Sequence, residues 1–226
     1  MPPDLDSEFL EALRRVGWDD SATPAARWLA ARGFFAMRRA AVGGVGVAHA
    51  TLHDAVGLFE PADADGDRVL MAPVWDGAAN PECKCPADAI WSECACAADR
   101  TLIDLVAWNP SEPTRLYRRT GEAAVIGIGG VEVASDTFMP PPLRLFRSVE
   151  DLIRHGGEIG AGNRPDCPMD PAAVVLDLAR AAWLLRDVVE IIADDLALAE
   201  DVEAALLATR PALPRLMVAA SSRRAA

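Results

Sequence analysis

The sequence predicts an α+β protein with N-terminal helices, a central antiparallel meander carrying a cysteine-rich metal loop, and a C-terminal βαβ-type layer. Three observations point there. Before residue 33 the apolar residues recur at helical spacing. From about residue 55 the chain breaks into short apolar or alternating runs bounded by Pro, Gly, Asp or Asn. Beyond residue 171, strand-like and helix-like segments alternate, the pattern of a parallel βαβ unit. The boundaries that follow are a helical segment over 1–42, a meander over 43–138 with its cysteine loop at 81–98, and an α/β layer over 143–220. All three can also form one compact body.

Phe9, Leu10, Leu13 and Val16 define the apolar side of a first helix, with Asp6 or Ser7 as N-cap and Gly17 as its stop. Thr23-Pro24 places a capping hydroxyl before a proline at the first position of a second helix, which Gly33 ends. Gly43-Gly44-Val45-Gly46 reads as a flexible connection. Residues 56–60, 68–75, 102–109, 115–119 and 123–128 read as strands, and Asn109-Pro-Ser-Glu-Pro113 as a turn. Met139-Pro-Pro-Pro142 separates this half from the next. Ser148 with Asp151 resembles a capping box, opening a short helix. In the tail, strands are expected at 173–176, 188–192 and 215–218, and helices at 179–186 and 195–209.

Composition sets bounds on function. With 51% hydrophobic residues the chain sustains a sizeable core. No apolar run reaches the roughly 18–20 residues that span a bilayer. A formal charge of −12 opposes independent tight binding to a phosphate backbone. Local basic strips are the exception to weigh: Arg115, Arg118 and Arg119 on one segment, and Arg144 and Arg147 on another. As candidate nucleic-acid contacts the first three stand against a plainer role as solvated strand surface.

The densest chemistry is Cys83-Lys-Cys85 and Cys94-Ala-Cys96, two thiol pairs within fourteen residues and separated by eight. Four thiolates in tetrahedral array suit a structural zinc, and they leave no open position for catalytic water. Pairing within Cys-x-Cys would close a strained ring, whereas disulfides between the pairs, or free thiols, are the competing states. The start Met-Pro-Pro-Asp-Leu-Asp has neither a basic nor an apolar export region, so a cytoplasmic, reducing compartment is expected and metal is favoured.

Other motifs fail on inspection. Asp63-Ala-Asp65-Gly-Asp67 resembles the start of a calcium loop, but Arg68 stands where its glycine belongs and Val74 where its bidentate glutamate belongs. It reads as a polar hairpin turn. Gly127-Ile-Gly-Gly130 lacks a following helix if Val131-Glu-Val133 is a strand, which argues against dinucleotide binding. His49 and His53 read as loop residues, and Cys167 as an unreacted thiol without a His partner. Asp177, Asp194 and Asp195 fall at the carboxyl ends of the first two tail strands, the edge where ions and ligands gather. Three carboxylates there would suit Mg²⁺ and phosphoryl chemistry. The same side chains serve as helix N-caps, the commoner role for Asp.

Ala25-Ala-Arg-Trp-Leu-Ala-Ala-Arg-Gly33 resembles the "YLxxRG" helix that opens the accessory region of toprim-type primase proteins from phages and plasmids. The strand at 68–75 and the pair over 105–119 resemble the meander that follows it in that family, and the tail resembles a shortened toprim core. The resemblance places the family's glutamate at Asp177 and its D-x-D pair at Asp194 and Asp195, both in altered form. The altered motifs imply a non-catalytic relative, and the resemblance implies a setting in phage or mobile-element DNA replication; with the cysteine loop and the net charge, the expectation is a zinc-stabilised accessory protein acting with a protein partner and meeting nucleic acid weakly or indirectly. The alternatives are a metal-dependent nucleotidyl-transfer or nucleic-acid-processing enzyme, and an acidic protein-binding module.

Overall fold

A computed structural model describes residues 2–16, 45–76, 101–136, 139–154 and 171–209. The second N-terminal helix, the cysteine loop, Cys167 and the strand expected at 215–218 lie outside the described residues. Within them the chain is a mixed α+β fold in which a closed five-stranded barrel packs against a four-stranded, largely parallel sheet.

Helix α1 spans Leu5–Val16. Its cap is Asp4, two residues ahead of the expected Asp6: Ser7 donates to it from its backbone N (3.2 Å) and its hydroxyl (2.8 Å). Those bonds hold the Asp4 carboxyl below its ordinary range. Phe9, Ala12 and Leu13 form the buried stripe. They rest on β1 (Gly46–His53), where a Cβ at Gly46 would lie 2.6 Å from that of Ala12. Gly46, the last residue of the run expected to be a flexible connection, opens this strand, and the two expected loop histidines, His49 and His53, lie on it. Its Gly and Ala residues admit the helix rather than loosen the chain.

The barrel continues with β2 (Leu58–Pro61), β3 (Asp67–Trp75), β4 (Leu102–Trp108) and β5 (Leu116–Arg118), closed in the order β1-β2-β5-β4-β3. The expected open meander holds for β3-β4-β5. Closure comes from a parallel contact of β2 with β5, Leu58 opposite Arg118. Strand β1 lies between β2 and β3, so the Asp63–Asp67 turn joins strands that do not pair and is not a hairpin. Both faces of β3 and β4 are buried, which is why they read as nearly continuous apolar runs. Val69, Met71, Leu105 and Ala107 face the core shared with α1, whereas Leu70, Ala72, Val106 and Trp108 face the C-terminal layer.

That layer contains β6 (Val125–Ile126), α2 (Ile128–Asp136), β7 (Leu143–Phe146), α3 (Val149–Arg154), β8 (Ala172–Val175), α4 (Leu178–Leu185), β9 (Ile191–Ala193) and α5 (Leu196–Thr209). The strand order is β6-β8-β7-β9. Strand β7 is parallel to both neighbours, and β6 is antiparallel to β8. Two tail strands expected to pair with each other are therefore separated by β7, whose four residues between a proline run and a cap carry little periodicity. Strand β6 and α2 belong to this sheet rather than to the barrel.

Val131-Glu-Val133 is helical, not extended. Val131 and Ala134, at i and i+3, are buried against the sheet, and this packing outweighs the alternation of β-branched residues. Gly127, at φ +85°, turns the chain from β6 into the helix. A Cβ at Gly127 or Gly130 would lie 2.7 or 2.6 Å from the Ala172 carbonyl oxygen, so these glycines accommodate the neighbouring backbone. Helices α2, α4 and α5 cover one sheet face; α3 and the barrel cover the other.

Candidate functional site

The carboxyl ends of β7, β8 and β9 form one edge of the parallel sheet, and Asp177, Asp194 and Asp195 all lie on it. Their side chains are committed separately. Asp177 caps α4: its Oδ1 accepts from the Arg180 N at 3.1 Å, while its Oδ2 lies 3.5 Å from Nη1 of Arg118. Asp195 accepts from the Leu198 N at 2.7 Å in the first turn of α5 and from Nε of Arg147 at 2.9 Å. The backbone bond, then the guanidinium, holds the Asp195 carboxyl below its usual value. Asp194 Oδ2 accepts from the Arg147 N at 3.2 Å. With β7 between β8 and β9, Asp177 is two strand spacings, roughly 10 Å, from the other pair. Among the described residues no three His, Cys, Asp or Glu side chains gather as a metal-holding group.

The three candidate nucleic-acid arginines are likewise engaged. Arg115 lies 3.1 Å from Asp54 and 3.6 Å from Glu112, with its guanidinium over the Tyr117 ring. Arg119 makes a bidentate pair with Glu8, at 2.9 and 3.1 Å, and so ties the end of β5 to α1. Arg118 donates to the carbonyls of Gly121 and Ala123, at 3.1 and 3.0 Å, as well as facing Asp177. A strip that looks basic in sequence is thus a row of charge pairs, of which Arg118–Asp177 is partly buried at the seam where barrel meets sheet and Arg119–Glu8 is partly buried where β5 meets α1.

The centre of that seam was not singled out in the sequence. Asp104 is 0% exposed. Its Oδ1 accepts from the backbone N of Leu105, Arg119 and Thr120, each at 2.9 Å, and its Oδ2 accepts from the Ala123 N at 3.0 Å. This carboxylate and the Arg118 guanidinium hold the 119–123 loop between them, one through its N–H groups and the other through its carbonyls. Nearby, Nε1 of the fully buried Trp108 donates to Glu150 on α3 at 3.3 Å. The signal in the sequence is a single charge inside the apolar run Leu-Ile-Asp-Leu-Val-Ala-Trp over 102–108.

The glycines at 127–130 follow β6, which runs opposite to β8, so they lie away from the aspartate edge. The space a pyrophosphate would need beside Gly127 and Gly130 is filled by Ala172.

Cys83, Cys85, Cys94 and Cys96 lie outside the described residues, but the neck of their loop does not. Trp75 stands opposite Leu102, Asp76 Oδ1 accepts from the Thr101 N at 2.8 Å, and the Asp76 N donates to the Thr101 carbonyl at 3.1 Å. The cysteine segment therefore leaves and re-enters the barrel between two paired strands. No helix among the described residues is long and apolar enough to cross a membrane. No family model, curated protein or solved structure matches the chain.

Proposed function

We propose that this is a non-catalytic accessory protein with a zinc-stabilised loop, acting through a protein partner in a reducing, cytoplasmic setting. The setting in phage or mobile-element DNA replication rests on the toprim-type resemblance. The observation that carries the non-catalytic reading is the commitment of Asp177 and Asp195 to helix caps and guanidinium partners on separate strands. A two-metal or one-metal phosphoryl-transfer site needs carboxylates converging on one ion. The absence of a free cationic strip among Arg115, Arg118 and Arg119 further supports weak or indirect contact with nucleic acid. The pairing of Asp76 with Thr101 brings the two ends of the cysteine segment together, which supports the reading of a segment too small for its own core and suited to stabilisation by metal. Cys83, Cys85, Cys94 and Cys96 would hold the zinc, and the ion would supply cross-linking rather than Lewis acidity.

Elemental analysis and Mg²⁺ calorimetry on the same preparation test this reading. About one zinc per chain is expected by the four-thiolate stoichiometry, lost in Cys94→Ser with Cys96→Ser. No saturable Mg²⁺ uptake is expected. Metal-free protein with four titrating thiols would remove the zinc part of the reading. Mg²⁺ binding abolished by Asp194→Asn or Asp195→Asn would replace the accessory role with the enzymatic one.

A further inference from the structure

Helix α4 buries Ala181, Ala182 and Leu185 against the sheet and turns Trp183 the other way, where 57% of it is exposed. The Arg186 guanidinium lies over the Trp183 ring, 5.6 Å from its centroid, and its Nε donates to Asp187 at 3.2 Å. Tryptophan and arginine are the residue types that most often anchor interfaces, because a large flat ring and a stacked guanidinium lose much water for little lost freedom. The same side of the sheet carries a second unusual feature. Between α5 and β9 lies a groove of about 250 Å³ lined by Ile191, Ala193, Val202, Leu206, Leu207 and Glu203. Leu207 on its rim is 53% exposed. An apolar groove and an outward tryptophan on one surface are each features that folded proteins cover.

The two features match in size, polarity and charge. A cavity of about 150 Å³ already holds a benzene ring, so this groove has room for an indole. Its walls are aliphatic apart from Glu203, whose carboxylate makes no ion pair among the described residues. An indole that enters brings Arg186 with it, a cation for that carboxylate. Trp183 does not fill the groove of its own chain, since most of the ring is in water. Helices α4 and α5 cover the same sheet face, so ring and groove belong to one surface. A two-fold axis over that surface can seat each ring in the other chain's groove at once, the self-complementary arrangement that closes a dimer. The formal charge of −12 on each copy opposes the encounter, which makes such a dimer reversible rather than permanent.

We propose that this chain associates with a second copy through the outer surface of α4 and α5. Each Trp183 enters the groove of the other chain, and each Arg186 meets the Glu203 that borders it. The occupant of the groove is thus a second copy, neither an unrelated protein nor another segment of the same chain. The contact involves neither the cysteine loop nor the aspartate edge, so it stands or falls separately from the accessory role.

Light scattering and sedimentation of the full-length protein across a concentration series decide the question. The expected result is a reversible monomer–dimer equilibrium that Trp183→Ala weakens about thirtyfold or more, the loss that marks an interface anchor. Arg186→Glu and Glu203→Arg are each expected to weaken it, and the two together to restore it, because the pair re-forms with its signs exchanged. All three positions are exposed, so circular dichroism of the variants should match wild type. A wild type that stays monomeric up to about 1 mM, the weak end of specific association, overturns the proposal and leaves the groove to another occupant. A dimer indifferent to Trp183→Ala overturns it equally, as does open-ended growth in place of a dimer, or a double variant that fails to recover.

Discussion

Replacing Asp104 perturbs the most connected polar group described in this protein. In Asp104→Ala the N–H groups of Leu105, Thr120 and Ala123 lose this buried acceptor, whereas that of Arg119 keeps the Leu105 carbonyl at 2.9 Å. At about 1–3 kcal/mol for each buried unsatisfied group, even the lower end for these three sums to about 3 kcal/mol. That is most of the stability of a marginal domain, which is about 5–15 kcal/mol. Asp104→Asn is milder and more informative. The amide oxygen can stand in for Oδ1, but the amide NH₂ then confronts the Ala123 N–H, donor against donor. One bond is lost outright, at about 1–3 kcal/mol, and three others weaken from charge-assisted to neutral, by about 1 kcal/mol each. Relief from desolvating the buried charge offsets several kcal/mol of this sum, leaving a net loss of about 2–4 kcal/mol. Urea unfolding followed by circular dichroism measures the difference, with exchange at the Arg119, Thr120 and Ala123 amides locating it. Asp104→Asn within about 0.5 kcal/mol of wild type, the range of an ordinary surface substitution, would refute the assignment of Asp104 as the organiser of the seam.

Asp195→Ala is expected to lower the thermal midpoint and Asp195→Asn to lower it less, because an amide oxygen still accepts from the Leu198 N; equal losses in the two variants would contradict the capping role. Tyr117 is the single tyrosine of the chain, and burial followed by its hydrogen bond to Asp54 pushes its pKa up to about 12. Its folded-state pKa lies above the unfolded value, so its contribution is complete below about pH 10 and lost as pH rises toward 12. Tyrosinate absorbance follows it directly, and ionisation near pH 10 in the folded protein is the contrary result. For nucleic acid, the charge pairing of Arg115, Arg118 and Arg119 leads to micromolar or weaker DNA binding near 150 mM salt, with a shallow salt slope. Arg115→Glu should leave it nearly unchanged. Nanomolar binding that this variant abolishes would establish a dedicated site there.

What the sequence determined by itself is local. The first helix with Phe9 and Leu13 on its buried side, the Ser148–Asp151 cap (2.6 and 3.0 Å), the caps at Asp177 and Asp195, and the doubly buried runs of β3 and β4 all follow from neighbours a few residues apart. Side-chain spacing and cap chemistry act over one or two turns, and they are written in the chain. Tertiary structure alone decided that β7 lies between β8 and β9, that β2 closes the barrel on β5, and that α2 is a helix despite its β-branched residues. It alone joined Arg119 to Glu8, Arg118 to Asp177 and Trp108 to Glu150, partners separated by 111, 59 and 42 residues. A charge in sequence carries no record of its distant counter-charge. Arg118 becomes a seam residue only when the sheet, stacked on the barrel by burial of Leu70, Val106, Trp108, Leu152 and Val174, brings Asp177 within reach, whereas Arg119 meets Glu8 on α1 and Arg115 meets Asp54 and Glu112.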